Sequence, residues 1–94
     1  MHDALRDSWA ISLRHLAASR FYLPEKLFFE EAIEFEGQLI ELLHHNELGL
    51  ALDAAEMLGT ICNAPKEFWE ELKMAAENMG LKDETARYNV LAST

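Results

Sequence analysis

An all-α fold is predicted: a compact antiparallel bundle of four helices plus a short C-terminal helix. Three observations carry it. Leu, Ala, Glu and Met dominate the composition while Val occurs once, at Val90, which favours helix and leaves little to build a sheet from. Apolar residues recur at helical spacing in each successive segment. Short turns carrying Pro, Asn or Gly separate those segments, so neighbouring helices run antiparallel. With 94 residues there is room for one core, and residues 1–94 form a single helical domain.

The first helix is expected over Asp3 to Ser19, with Asp3 as N-cap and an apolar stripe of Leu5, Trp9, Leu13 and Leu16. Ile11 falls off that stripe. Phe21 and Tyr22 are expected to plug the corner before Pro24, which suits the first turn of a helix. The second helix should then run from Pro24 to about His45, about 30 Å at 1.5 Å per residue. Its apolar arc is Phe28, Phe29, Ala32, Phe35, Leu39, Ile40, Leu42 and Leu43. Glu30, Glu34, Gln38, Glu41 and His45 line the opposite side, with Glu31 at the border. Gly37 is a weak point, costing about 1 kcal/mol relative to Ala.

Asn46 is the expected cap of a third helix over Glu47 to Cys62. Leu48, Ala51, Leu52, Ala55, Leu58 and Cys62 mark its buried side, widened by Leu50, Ala54, Met57 and Ile61. Gly49, Asp53, Glu56 and Thr60 leave only a narrow polar seam, which makes this helix central. Asn63-Ala64-Pro65 breaks the chain and starts a fourth helix ending near Met79, with Gly80 as its stop. Phe68, Trp69, Leu72, Ala75, Ala76 and Met79 give its core face, with Met74 opposite. Asp83 is the expected cap of a short last helix through Leu91, with Ala86 and Val90 facing inward, and the terminal Ala-Ser-Thr should fray.

The net charge is −9, and residues 25–71 concentrate it: twelve of the seventeen acids with only Lys26 and Lys66 as bases, a local net of −10. That sign disfavours nucleic acid and anionic membrane and favours a basic partner, although the same charge also serves plain solubility. The single cysteine, Cys62, excludes an internal disulfide and a Cys-type metal site, and its apolar helical setting predicts a buried, inert thiol. The opening MHDALRDSW lacks a secretory signal pattern, and no apolar run approaches a membrane span, so a cytoplasmic protein is expected.

Catalytic chemistry finds little support. Glu41 and His44 make an E-x-x-H pair on one helix face, a pattern that di-iron bundles use twice. They point away from the apolar arc, however, and no second pair exists to complete such a site. Ser8, Ser12 and Ser19 lie near His15 by spacing but lack a glycine-rich loop or nucleophile elbow. The many carboxylates sit on solvated faces where nothing would raise one pKa selectively. The chain is expected not to be an enzyme and to need no cofactor or metal. Glu36 is the charged residue that periodicity places at the apolar arc, reaching water at its edge or, if buried, pairing with Arg6, Arg14 or Arg20.

At HHNELGLALDAAEMLG, followed by APKEFWEELKMAAENMGL, the chain resembles small all-helical immunity proteins of bacterial polymorphic toxin and contact-dependent inhibition systems, the MafI type among them. The resemblance spans about residues 35–81. It implies a non-enzymatic protein that binds and neutralises a cognate toxin, frequently a nuclease. It carries no contact residues, and Glu47, Leu48, Ala51, Leu52 and Asp53 within it are mainly structural. An acidic helical surface also suits occluding a basic nucleic-acid cleft. The expected partner-contact residues are Glu30, Glu31, Glu34, Glu41, Asp53 and Glu56. A competing expectation is an adaptor or regulatory module that binds another basic protein or self-associates, with a metal-binding bundle built on Glu41 and His44 behind it. Oligomeric state stays open.

Overall fold

Five α-helices and one 3-10 turn make up the computed structural model, which describes residues 4–93, with side chains from Ser8 onward. They are α1 (Ala4–Ser19), the 3-10 turn (Arg20–Tyr22), α2 (Glu30–His44), α3 (Leu48–Ile61), α4 (Lys66–Asn78) and α5 (Lys82–Ala92). Among the described residues there is no strand. The expected cap Asp3 and stripe residue Leu5 lie outside the described side chains, as does the terminal Thr94.

Three helices end by the same device. Asn46, Asn63 and Gly80 adopt left-handed φ values of 56°, 52° and 75°. The residue after each sends its N–H back to a carbonyl five positions earlier: Glu47 to Leu42, Ala64 to Gly59 and Leu81 to Ala76, each at 2.9 Å. This is the Schellman termination, which satisfies carbonyls that would otherwise be orphaned. Asn46, expected to start α3, therefore ends α2 instead. A left-handed turn tolerates Asn and Gly better than other residues, and Glu47 becomes the N-cap of α3 without side-chain help.

α2 begins at Glu30, not at Pro24. Leu23 and Leu27 explain the delay, because both are buried in the core and draw Pro24–Phe29 along the surface in an irregular path. The Arg20 guanidinium fixes that path, donating to the carbonyls of Pro24 at 2.9 Å and Glu25 at 3.0 Å and lying 3.5 Å from that of Leu23. Its Nε also pairs with the Glu36 carboxylate at the edge of α2. These carbonyls have a donor without helix formation, so the segment need not coil. Leu23 fills the corner that Phe21 and Tyr22 were expected to plug, and both aromatics are exposed.

α3 is central. One flank carries α2, and the other meets α1 and α4. Leu48, Ala51, Leu52, Ala54, Ala55, Leu58 and Gly59 are buried, while Cys62 is half-buried and Leu50 and Met57 are exposed. Gly59 matters sterically: a Cβ there would fall 2.9 Å from Cζ and 3.0 Å from Cδ1 of the fully buried Phe68, and closer still to the Cε1 between them. Phe68 stands edge-on to Trp69 at 5.1 Å, and Trp69 stacks on Tyr88 at 5.9 Å, geometries that aromatic quadrupoles favour.

α1 lies on α4 through a polar seam. The Asn78 amide donates to the Ser8 carbonyl at 2.6 Å and the buried Ser12 hydroxyl at 2.8 Å, and His15 Nδ1 pairs with Glu71 at 2.8 Å. Small serines allow close approach of the two backbones, and Asn78 satisfies what that approach buries. Trp9, placed in the core stripe by periodicity, is half exposed at this end. α5 presents Tyr88 to the core, not Ala86 and Val90, which face solvent. One large ring with a hydroxyl that finds a partner outweighs two small apolar groups.

Candidate protein-binding surface

Among helices, α2 has one substantial neighbour, α3. A helix with a single neighbour buries one stripe of its surface, whereas the apolar positions of α2 span roughly 180° at 100° per residue. The surplus goes to solvent. Ala32 and Leu39 are buried and Phe35, Leu42 and Leu43 half-buried against α3. Phe28, Phe29, Ile33 and Ile40 remain 81%, 62%, 52% and 58% exposed. Phe28, Phe29 and Ile40, expected in the buried arc, are therefore surface residues, because no second helix comes to cover them.

Helical geometry orders this surface. Phe29, Ile33 and Ile40 fall along one edge of α2, and Glu30, Glu34 and Glu41 fall along the adjacent edge, all exposed. An apolar ridge thus runs beside an acidic one. At the end of α2 next to the C-terminus of α3, Phe29, Glu30, Glu31 and Ile61 line a shared concavity of about 390 Å³. Asp53 is exposed on α3, between the exposed Leu50 and Met57 along the chain.

Glu56 differs from the other five acids. Its Oε1 accepts from Arg87 Nη2 at 2.6 Å and from the Tyr88 hydroxyl at 2.7 Å. Burial pushes its carboxyl up, but those two hydrogen bonds and the guanidinium charge outweigh it and hold the pKa below the usual value. Burial, then the bond to Glu56, pushes the Tyr88 phenol up. This carboxylate pins α5 to α3 and is already engaged within the fold. Glu36 is likewise held, by Arg20, as the sequence allowed.

Glu41 and His44 are both exposed, and among the described residues no group of three or more His, Cys, Asp or Glu is placed to hold a metal ion. Ser8 and Ser12 serve the α1–α4 seam, Ser19 donates to the Leu16 carbonyl at 2.6 Å, and His15 is tied to Glu71. Burial raises the Cys62 thiol pKa, which slows any reaction through the thiolate. No described helix is long and apolar enough to cross a membrane.

The exposed ridge escaped the reading of the sequence, though a signal for it existed. An apolar arc half a circumference wide needs two neighbours, and the short turn after α2 supplies only α3. Comparison with known protein families, curated proteins and solved structures returned no match for this chain.

Proposed function

We propose that this chain is a non-catalytic immunity protein that binds a cognate bacterial toxin, a nuclease by class, and occludes its basic surface. The observation that carries the reading is the outer face of α2, an exposed apolar ridge of Phe29, Ile33 and Ile40 beside the carboxylates Glu30, Glu34 and Glu41. Apolar surface of this kind marks an interaction site. Rigid carboxylates next to it complement Lys and Arg, raise the association rate and select a basic partner. Charge is compatible with the nuclease class, because a cleft that holds phosphates must be cationic. The resemblance to MafI-type immunity proteins supports the same assignment.

Of the expected contact residues, Glu30, Glu31, Glu34, Glu41 and Asp53 are exposed and outside the ion pairs among the described residues, and so free to meet that partner. Glu56 contributes by holding α5 in place. The test is inhibition of a toxin nuclease domain encoded beside this chain, titrated with the wild type and with the combined E30K, E34K and E41K variant. Inhibition by the wild type that is lost in the variant at moderate salt is expected. Equal inhibition by both would sink the acidic-face reading, and a monomer that inhibits no neighbouring toxin would sink the immunity reading.

A further inference from the structure

Phe29 is the N-cap of α2 and, like Glu47, Pro65 and Leu81 at the starts of α3, α4 and α5, makes no side-chain capping bond. Its ring is 62% exposed, next in sequence to the 81% exposed Phe28. Two adjacent rings left this exposed mark a contact surface. The concavity of about 390 Å³ that Phe29 lines with Glu30, Glu31 and Ile61 belongs to that surface. It has an aromatic wall, an aliphatic wall and two carboxylates. Among the described residues no ion pair of this chain engages either glutamate.

Resting on the basic partner inferred above, we propose that this niche takes an arginine side chain of that partner, with Phe28 as the adjoining apolar anchor. A guanidinium stacks on an aromatic face, its methylene stem covers an aliphatic group, and its fork donates to carboxylates. Phe29, Ile61 and the pair Glu30 and Glu31 offer those three surfaces in that order. The segment is preset for the contact, because the Arg20 guanidinium holds the carbonyls of Pro24 and Glu25 and so fixes the approach to Phe28 and Phe29. A second copy of this chain is disfavoured as occupant by a net charge of −9, with Lys26 the single Lys or Arg between residues 21 and 65.

The experiment is an NMR titration of the isotope-labelled full chain with a blocked tripeptide carrying a central arginine. The citrulline counterpart, which keeps the shape and loses the charge, is the control. Saturable shifts at the amides of Phe29, Glu30, Glu31 and Ile61 are expected, at least about fivefold weaker with citrulline, and about two- to fivefold weaker in F29A. That variant keeps its fold because the removed ring is mostly exposed. Absent shifts at those four residues up to the solubility limit, equal binding of citrulline, or concentration-dependent shifts without peptide would each overturn the niche. If the niche fails while the E30K, E34K and E41K variant still loses the toxin, the immunity reading stands. Peptide binding without inhibition of any toxin removes that reading and leaves the niche.

Discussion

Gly59→Ala is expected to destabilise this protein although it lies inside a helix, where replacing Gly by Ala ordinarily stabilises by about 1 kcal/mol. The new methyl would lie 2.9 Å from Phe68 Cζ and closer still to the adjoining Cε1. Phe68 is fully buried and set edge-on to Trp69 at 5.1 Å, with Trp69 stacked in turn on Tyr88, so the ring has no free direction in which to retreat. Overpacking of this kind costs about 1–3 kcal/mol. The locked ring argues for the upper end, leaving a net loss of about 2 kcal/mol after the helix gain. A domain of this size loses about 4–8 °C per kcal/mol, so the melting temperature should fall by about 8–16 °C. Gly37→Ala is the internal control: nothing lies within 4 Å of its added methyl, and its melting temperature should rise. Thermal unfolding followed by circular dichroism measures both. The F68L background supplies the cycle, because a smaller side chain makes room and should convert the Gly59 effect to neutral or stabilising. A Gly59→Ala protein as stable as Gly37→Ala would refute the close approach of α3 and α4.

Two further predictions concern polar groups. Because the folded pKa of Glu56 lies below that of a free glutamate, its contribution is present above the free value and is lost as pH falls through the folded value. The stability gap between wild type and E56Q, about 1 kcal/mol at neutral pH, should therefore shrink below about pH 4.5 in thermal unfolding; a gap independent of pH would show that the carboxylate charge does not hold α5. Arg20→Lys should loosen Pro24–Phe29 with little global loss, because an ammonium cannot reproduce the planar fork that reaches two carbonyls and Glu36. Chymotryptic cleavage at Phe28 and Phe29 reads this directly, and unchanged cleavage rates would mean that Leu23 and Leu27 alone hold the segment.

Helices, their order and most core faces were legible because each rests on local regularities. Pro65 and Gly80 punctuate the chain through their own backbone geometry, and Phe68, Leu72, Ala75 and Ala76 recur at a spacing that one buried face explains. Errors came where two local rules competed. Asn46 suits both a cap and a left-handed stop, and the six-to-one hydrogen bond from Glu47 decided between them. Pro24 suits a first helical turn, yet Leu23 and Leu27 had a core to reach. Of the expected contact residues, Glu30, Glu31, Glu34, Glu41 and Asp53 are exposed as an acidic helix face requires, while the partner of Glu56 lay thirty-one residues away at Arg87.

Composition and periodicity were enough for an acidic all-helical domain with α3 at its centre, because propensity, charge and the 3.6-residue period act within a few neighbouring residues. Which part of the apolar surface would find cover could not be settled that way. It depends on how many helices surround each one, a property of the assembled packing. With α3 as its one substantial helix neighbour, Phe29, Ile33 and Ile40 stay in water, and the same packing sets Phe29 in a shared concavity with Glu30, Glu31 and Ile61 from the far end of α3. Tyr88, Arg87 and Glu56 likewise meet only when α5 folds back. Contacts between distant segments follow from where elements settle to bury area, which no short window of sequence encodes.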